Sequence, residues 1–483
     1  MKKLKILFVT SELSPLARTG GLGDVVGALP GALRGSGADV RVIMPLYKSI
    51  KDGCADQMVF LRWSMIRLGW RTLYSGLFRM ELNGVPIYFI DNEFYFYHDQ
   101  LYLDYSFDIE RFSFFQRAVL ETLGEPMDFM PDILHLNDWH TAMIPCLLDA
   151  HYRPYGKLSD LKTVLTIHNI KFQGIHSRER IADLLDMPDR YMNNGAILKD
   201  GMPNFLKAGI VFADRVTTVS PTYATEILTD YFGEGLHVLL QSQAHKLTGI
   251  LNGIDDAVYN PATDPAIPAN YDRTNWSKGK AVCKAALQTE LGLSVDKRLP
   301  LACMITRLTD QKGLDLLLHV LSEMLNGDLQ LAILGTGEAG YEAALKEHAD
   351  RNAGLFALRL AFDTELSHRM YAGADLLLMP SLFEPCGLAQ MIAMRYGTLP
   401  VVRETGGLKD TVQAFNKYSG EGNGFSFRNI NAHEFLYTTR YACDIFRHEP
   451  EAWEMLVATA MSGDYSWRAS AQSYLAMYQQ LKE

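Results

Sequence analysis

Thr19-Gly20-Gly21-Leu22-Gly23-Asp24-Val25-Val26 and Thr405-Gly406-Gly407-Leu408-Lys409-Asp410-Thr411-Val412 share one pattern, T-G-G-L-x-D-x-V, near opposite ends of the chain. The first copy follows the apolar run Leu4–Thr10 after a loop; the second follows Pro400–Arg403 almost directly. Each reads as a strand-to-helix turn. Glycines there let backbone N–H groups approach an anion closely, and the helix N-terminus favours negative charge. Either pair alone is by default a tight turn without a ligand. Two copies, each at the carboxyl side of a strand in its own half of the chain, favour ligand contact.

Working outward, short apolar runs alternate with longer amphipathic segments. In the first half they are Leu4–Thr10, Val40–Met44, Val85–Ile90, Ile133–Leu136, Thr163–His168 and Arg215–Ser220. In the second they are Leu301–Thr306, Leu329–Leu334, Leu358–Phe362, Leu376–Met379 and Pro400–Arg403. Near-continuous apolar strands separated by helices predict parallel sheets covered on both faces, hence an α/β protein of two doubly wound domains. The linker is expected near Ala244–Asn252, dividing residues 1–245 from 246–463, with 464–483 as a last helix. The Pro-rich stretch after Asp255 is the alternative linker.

The chain has 483 residues, 48% hydrophobic and 21% charged, enough apolar material for real cores and too much for disorder. A formal charge of −10 argues against a nucleic-acid or anionic-membrane partner. The six cysteines are scattered without metal-ligand spacing, as in a reduced compartment. The apolar run Ile6–Val9 is too short for a signal peptide and reads as a buried first strand, and no run is long enough to span a bilayer. The expectation is a soluble, cytoplasmic protein.

Arg307 and Lys312 leave the run Leu301–Thr306, and two cations there suit a diphosphate, Arg as a fork and Lys as a point charge. Ordinary solvated loop charges are the plain alternative. Gly335-Thr336-Gly337 follows another strand and could admit phosphate or ribose, although a turn explains it equally. Gly20-Gly21-Leu22-Gly23 lacks the G-x-G-x-x-G spacing of a nicotinamide site, so no such cofactor is expected. Glu384, after Leu376–Met379, can bond sugar hydroxyls or face a positive anomeric centre; a helix N-terminal acid is the plain alternative. His168-Asn169 and His135–His140 lie at two further strand ends, where structural histidines are commoner than catalytic ones. No D-x-D occurs, so no metal is expected and phosphate charge falls to Lys, Arg and helix dipoles. The aromatic stretch Tyr88–Phe115 reads as core, with a sugar-stacking groove as the alternative.

Taken in order, Arg18–Leu22, His135–His140, Thr166–Asn169, Leu251–Asp255, Arg307–Gly313, Pro380–Gln390 and Thr405–Leu408 closely resemble the bacterial glycogen synthases and plant starch synthases. The resemblance runs from the first strand to the last helix. It implies the GT-B fold, two Rossmann-like domains facing across a deep cleft, with the last helix packing back on the N-terminal domain. It implies glucose transfer from ADP-glucose to the non-reducing 4-hydroxyl of glycogen or a malto-oligosaccharide, with retention and without a cofactor. Arg307 and Lys312 would hold the diphosphate, His168 and Glu384 the donor glucose, and Asp138 would lie beside glucose or acceptor. Substrate-binding positions would be Arg18, Gly20, Gly21, Asp24, Asn169, Asn252, Gly335, Gly337, Cys386, Gly387, Leu388, Thr405, Gly406 and Gly407, with Phe362 against adenine. Two residues depart from the pattern. Position 18 is Arg where the family usually has Lys, and position 392 is Ile where wider relatives often carry a second Glu. UDP-glucose as donor, or a non-catalytic glucan-binding protein, are the alternatives. As loop charges, Lys312 and Glu384 are expected to contribute little to stability.

Overall fold

The first strand, β1 (Lys5–Val9), buries Ile6 to Val9 completely, as a strand covered on both faces must. The computed structural model describes residues 3–193 and 195–482. The chain divides into two compact units, Met1–Asn252 with Trp467–Glu483, and Gly253–Ser466. It thus leaves the first unit after Asn252 and returns at Trp467.

In the first unit the later strands are β2 (Asp39–Pro45), β3 (Val59–Leu68), β4 (Arg71–Leu82), β5 (Val85–Asp91), β6 (Ile133–Asn137) and β7 (Lys162–Ile167). A small ribbon of β8 (Leu198–Lys199) and β9 (Met202–Pro203) precedes β10 (Arg215–Thr218) and β11 (Leu247–Gly249). Among the described residues the main sheet runs β11-β10-β7-β6-β1-β2-β5-β4-β3. Pairing is parallel from β11 to β5 and antiparallel through β4 and β3.

The hairpin β3–β4 falls outside the expected strands for a physical reason: Arg62, Ser64 and Arg67 interrupt the apolar residues of β3, and Val59, Leu61, Trp63 and Met65 are exposed. The stretch Tyr88–Phe115 is mainly core, with Tyr88, Phe89, Tyr95, Phe96, Phe112, Phe114 and Phe115 buried while Phe94 and Tyr105 face solvent. Its helix, Tyr105–Thr122, starts where the Asp104 side chain accepts from the amides of Ser106 and Phe107.

The terminal helix Trp467–Lys482 packs on the helix Gly21–Gly35. Ser470 Oγ donates to the carbonyl of Leu251 at 2.6 Å. The Tyr478 hydroxyl bonds His135 Nδ1, whose Nε2 meets Thr166 Oγ1 at 2.6 Å. His135 is therefore a core residue, and burial holds its pKa down at about 3.

The second unit has β12 (Leu301–Ile305), β13 (Gln330–Leu334), β14 (Phe356–Arg359), β15 (Leu376–Met379), β16 (Leu399–Arg403) and β17 (Phe425–Phe427). They form a parallel sheet in the order β14-β13-β12-β15-β16-β17. Its two ends meet where the Ile254 amide donates to the Tyr465 carbonyl at 2.7 Å. Both sheets are doubly wound and Rossmann-like. Strand order reverses between β1 and β6 in one and between β12 and β15 in the other. At such a reversal the two connections leave on opposite sides of the sheet and open a crevice at the carboxyl ends of the strands.

Candidate active site

The first crevice holds polar residues from the ends of β1, β6 and β7. Asp138, just past β6, adopts a left-handed backbone with φ 54°. Its Oδ1 accepts the His168 amide at 2.8 Å, which ties the ends of β6 and β7 together. Burial pushes the Asp138 carboxyl up to about 7, although the amides of His168 and Asn169 work against the shift. His168 is buried and its pKa is pushed down to about 3, so the ring is neutral near pH 7. Asn137 Nδ2 donates to the Val9 carbonyl at 3.0 Å, leaving Asn137 Oδ1 to accept from His168 Nε2 at 2.9 Å. That network assigns the proton to Nε2 and leaves the Nδ1 lone pair as an acceptor. The Asn169 side chain accepts the Lys171 amide at 3.0 Å.

Gly20 caps the helix Gly21–Gly35 in an extended conformation, and a Cβ on Gly20 or Gly21 would meet no heavy atom within 4 Å. The fold therefore leaves both positions open. Arg18 pairs with Asp24 at 2.5 Å, both partly exposed, and burial raises the Asp24 pKa against the pull of Arg18. Behind the loop lies Glu12, which sequence reasoning missed. Its carboxylate is buried and takes bonds from Thr19, Gly20 and Tyr102. Asn252, at the end of the unit, is buried with Oδ1 unpartnered among the described residues.

In the second unit Arg307 follows β12 and is exposed, while Lys312 ends a short turn and Gly313 carries the chain on at φ 71°. A Cβ on Gly313 would lie 2.0 Å from the Pro380 carbonyl oxygen, so glycine lets the β12 loop press against the β15 loop. Across that contact Lys312 Nζ reaches Glu384 Oε2 at 2.5 Å, and Ser381 Oγ donates to the same oxygen at 3.1 Å. The two charged side chains are only 14% and 9% exposed. This runs against the expectation that the two contribute little to stability, because they are not solvated. Each is buried on the other, and removing one strands its partner at a cost of about 3–5 kcal/mol. Arg403 braces the loop from below, donating Nε to the Ser381 carbonyl at 2.8 Å. A cavity of about 80 Å³ opens beside the pair, lined by Thr306, Lys312, Ser381, Glu384, Gly387 and Leu388 among others.

The second T-G-G-L copy has a different setting from the first. A Cβ on Gly406 would lie 2.0 Å from the Glu384 carbonyl oxygen, and one on Gly407 would lie 2.1 Å from that of Cys386. The Gly407 amide donates to the carbonyls of Glu384 and Pro385 at 3.2 Å. These glycines therefore back the loop that carries Glu384 and the buried Cys386, and Thr405 before them is itself buried. Gly335 and Gly337 likewise sit against the carbonyls of Thr306 and Leu308, and the Gly337 amide is taken by Glu342 at 2.8 Å. Phe362 stands three residues beyond β14 and is 81% exposed. Ile392 is buried.

The described residues contain no group of three or more His, Cys, Asp or Glu able to hold a metal ion, and no described helix is long and apolar enough to cross a membrane. A model of group 1 glycosyl transferases matches residues 292–438. The sucrose-phosphate synthase of Thermosynechococcus elongatus shares the fold, with a TM-score of 0.64 at 16% identity over 99% of each chain. Two Rossmann-like units with polar crevices at their strand reversals, together with these matches, define a glycosyltransferase of the GT-B fold. A model of the starch synthase catalytic domain matches residues 5–242. The glycogen synthase of Clostridioides difficile is 46% identical over 99% of this chain and 100% of its own. That of Geobacillus stearothermophilus is 48% identical over 99% of this chain and 98% of its own. The catalytic domain of starch synthase IV from Arabidopsis thaliana, solved with ADP and acarbose, superposes with a TM-score of 0.91 at 34% identity over 100% of both chains. The chain belongs to the family of bacterial glycogen synthases and plant starch synthases.

Proposed function

We propose that the protein transfers glucose from ADP-glucose to the non-reducing 4-hydroxyl of an α-1,4-glucan, glycogen or a malto-oligosaccharide, with retention of configuration. The observation that carries this reading is the buried Lys312–Glu384 pair beside a small cavity at the strand reversal of the second sheet. A lysine held there by one carboxylate keeps two further N–H donors for phosphate oxygens. The ADP in the Arabidopsis relative supports the choice of nucleotide.

In this reading Lys312 and the exposed Arg307 neutralise charge growing on the departing diphosphate. Glu384 Oε2 is already engaged by Lys312 and Ser381, so it orients sugar hydroxyls and is a poor nucleophile. The C1–O bond to the diphosphate breaks and the acceptor O4–C1 bond forms on the same face. The acceptor proton passes to the departing phosphate oxygen. The neutral His168 ring accepts from a glucose hydroxyl at Nδ1, and Asp138 lies beside glucose or acceptor. The open faces of Gly20 and Gly21 admit the donor, with Arg18 and Asp24 beside them.

The test is transfer of labelled glucose into glycogen from ADP-glucose and UDP-glucose side by side. ADP-glucose is expected to lead by at least ~10-fold in kcat/KM, or ~1.4 kcal/mol in transition-state binding. Equal or better use of UDP-glucose refutes the donor assignment.

A further inference from the structure

Glu12 follows β1, at the strand reversal of the first sheet, and is only 3% exposed. Its Oε2 accepts the Thr19 amide at 2.7 Å and the Gly20 amide at 3.3 Å. Its Oε1 accepts the Thr19 hydroxyl and the Tyr102 hydroxyl, each at 2.7 Å. A buried carboxylate is normally matched by a cation, because the charge is costly to desolvate. Here four N–H and O–H donors do that work, and three of them belong to the glycine loop. The strand end is fixed in turn, since the Tyr47 hydroxyl donates to the Ser11 carbonyl at 3.0 Å and Ser11 Oγ meets the Tyr102 hydroxyl at 3.0 Å. The helix is drawn in as well. A Cβ on Gly23 would lie 2.6 Å from the Arg18 Cβ and 3.2 Å from Glu12 Oε2.

The consequence is directional. Glu12 turns the Thr19 and Gly20 amides inward, so the loop presents the bare α-carbons of Gly20 and Gly21 outward, with Arg18 beside them. Without the carboxylate, two buried amides lose their acceptor and the loop has reason to turn over to find water.

We propose that Glu12 is a positioning residue for donor binding, fixing the Arg18–Gly21 loop through geometry and not through its charge. The proposal rests on the reading of that loop as a sugar-nucleotide contact. It assigns to Glu12 no contact with substrate.

The test separates reach from charge. Glu12→Gln keeps the length, and its carbonyl oxygen can face the two amides. Its NH2 group can face the hydroxyls of Thr19 and Tyr102, which rotate to accept. Glu12→Asp keeps the charge and loses one methylene of reach. Steady-state kinetics are run with whichever sugar nucleotide the wild-type protein turns over, so a wrong donor assignment is seen first and leaves this comparison readable. Glu12→Gln is expected within ~3-fold of wild type in kcat/KM. Glu12→Asp is expected to raise the KM for the sugar nucleotide by ~10-fold or more, with the KM for glycogen within ~2-fold, since a misplacement of about 1 Å can cost ~10²-fold. A merely structural loss lowers the active fraction, which scales kcat and leaves both KM values alone; that outcome overturns the proposal. So does the reverse order, Asp active and Gln impaired, which would make charge the essential property. Near-wild-type kinetics in both variants also overturns it.

Discussion

Gly21→Ala and Gly406→Ala should move stability in opposite directions although both alter the same sequence pattern. Gly406 sits at φ 45°, in the left-handed region, and its added Cβ would lie 2.0 Å from the Glu384 carbonyl oxygen. The backbone costs an L-residue ~1–2 kcal/mol and overpacking adds ~1–3 kcal/mol. At ~2–4 °C per kcal/mol for a unit of this size, Tm should fall by ~4–20 °C. Gly21 opens the helix Gly21–Gly35 with no heavy atom within 4 Å of an added Cβ. Alanine there gains up to ~0.5–1 kcal/mol of helix stability, so Tm should hold or rise by a few degrees. Its methyl group nevertheless stands where the donor is proposed to approach, and the KM for ADP-glucose should rise ~10-fold or more. Calorimetric melts and steady-state kinetics on both variants decide the matter. A Gly21→Ala protein with unchanged kinetics refutes ligand contact at that loop. An unchanged melt for Gly406→Ala refutes the packing account of the second one.

Lys312→Ala and Glu384→Ala should each lower kcat by ~10²–10³, and each should also lower Tm because the surviving charge is buried. Melts should show the double variant less destabilised than the sum of the singles. Asp138→Asn should abolish transfer yet stabilise the fold in a pH-dependent way. The Asp138 pKa is about 7 in the folded state against 3.8 for the free group, so between those values the folded protein binds more protons than the unfolded chain, and wild-type stability falls as pH rises. The gap in Tm between Asp138→Asn and wild type should therefore widen from pH 4 to pH 7 and then level off, with ~4 kcal/mol as its ceiling. A gap that narrows over that range contradicts the burial account. Transfer should persist in EDTA; activity lost to the chelator and restored by Mg²⁺ or Mn²⁺ would show that a metal shares the phosphate charge.

The strands β1, β12, β13 and β15 could be read in advance because each carries an unbroken apolar run (Ile6–Val9, Leu301–Ile305, Leu331–Leu334 and Leu376–Met379), the signature of burial on both faces. β3 could not, because Arg62, Ser64 and Arg67 break its apolar residues into short groups with no continuous run. The site was legible in its parts more than in its pairing. Lys312 and Glu384 stand 72 residues apart, and only the adjacency of β12 and β15 brings them together. Glu12 carried no local signal, since its partners lie 7, 8 and 90 residues away and belong to a loop and a tyrosine that the pattern gives no reason to join to it. The repeated T-G-G-L pattern was visible, but not that one copy is open and the other is packed beneath the loop of Glu384. Spacing records which residues recur, and the neighbours that give a glycine its purpose come from other strands.

The return of the chain at Trp467 has a consequence for synthesis. The helix Trp467–Lys482 is translated after Gly253–Ser466, so the first unit cannot be completed until its neighbour has been made. That helix supplies the packing partner of Gly21–Gly35 and the Tyr478 hydroxyl that bonds His135. The first unit is thus begun before its neighbour and closed after it, by a helix of 16 residues that packs on Gly21–Gly35.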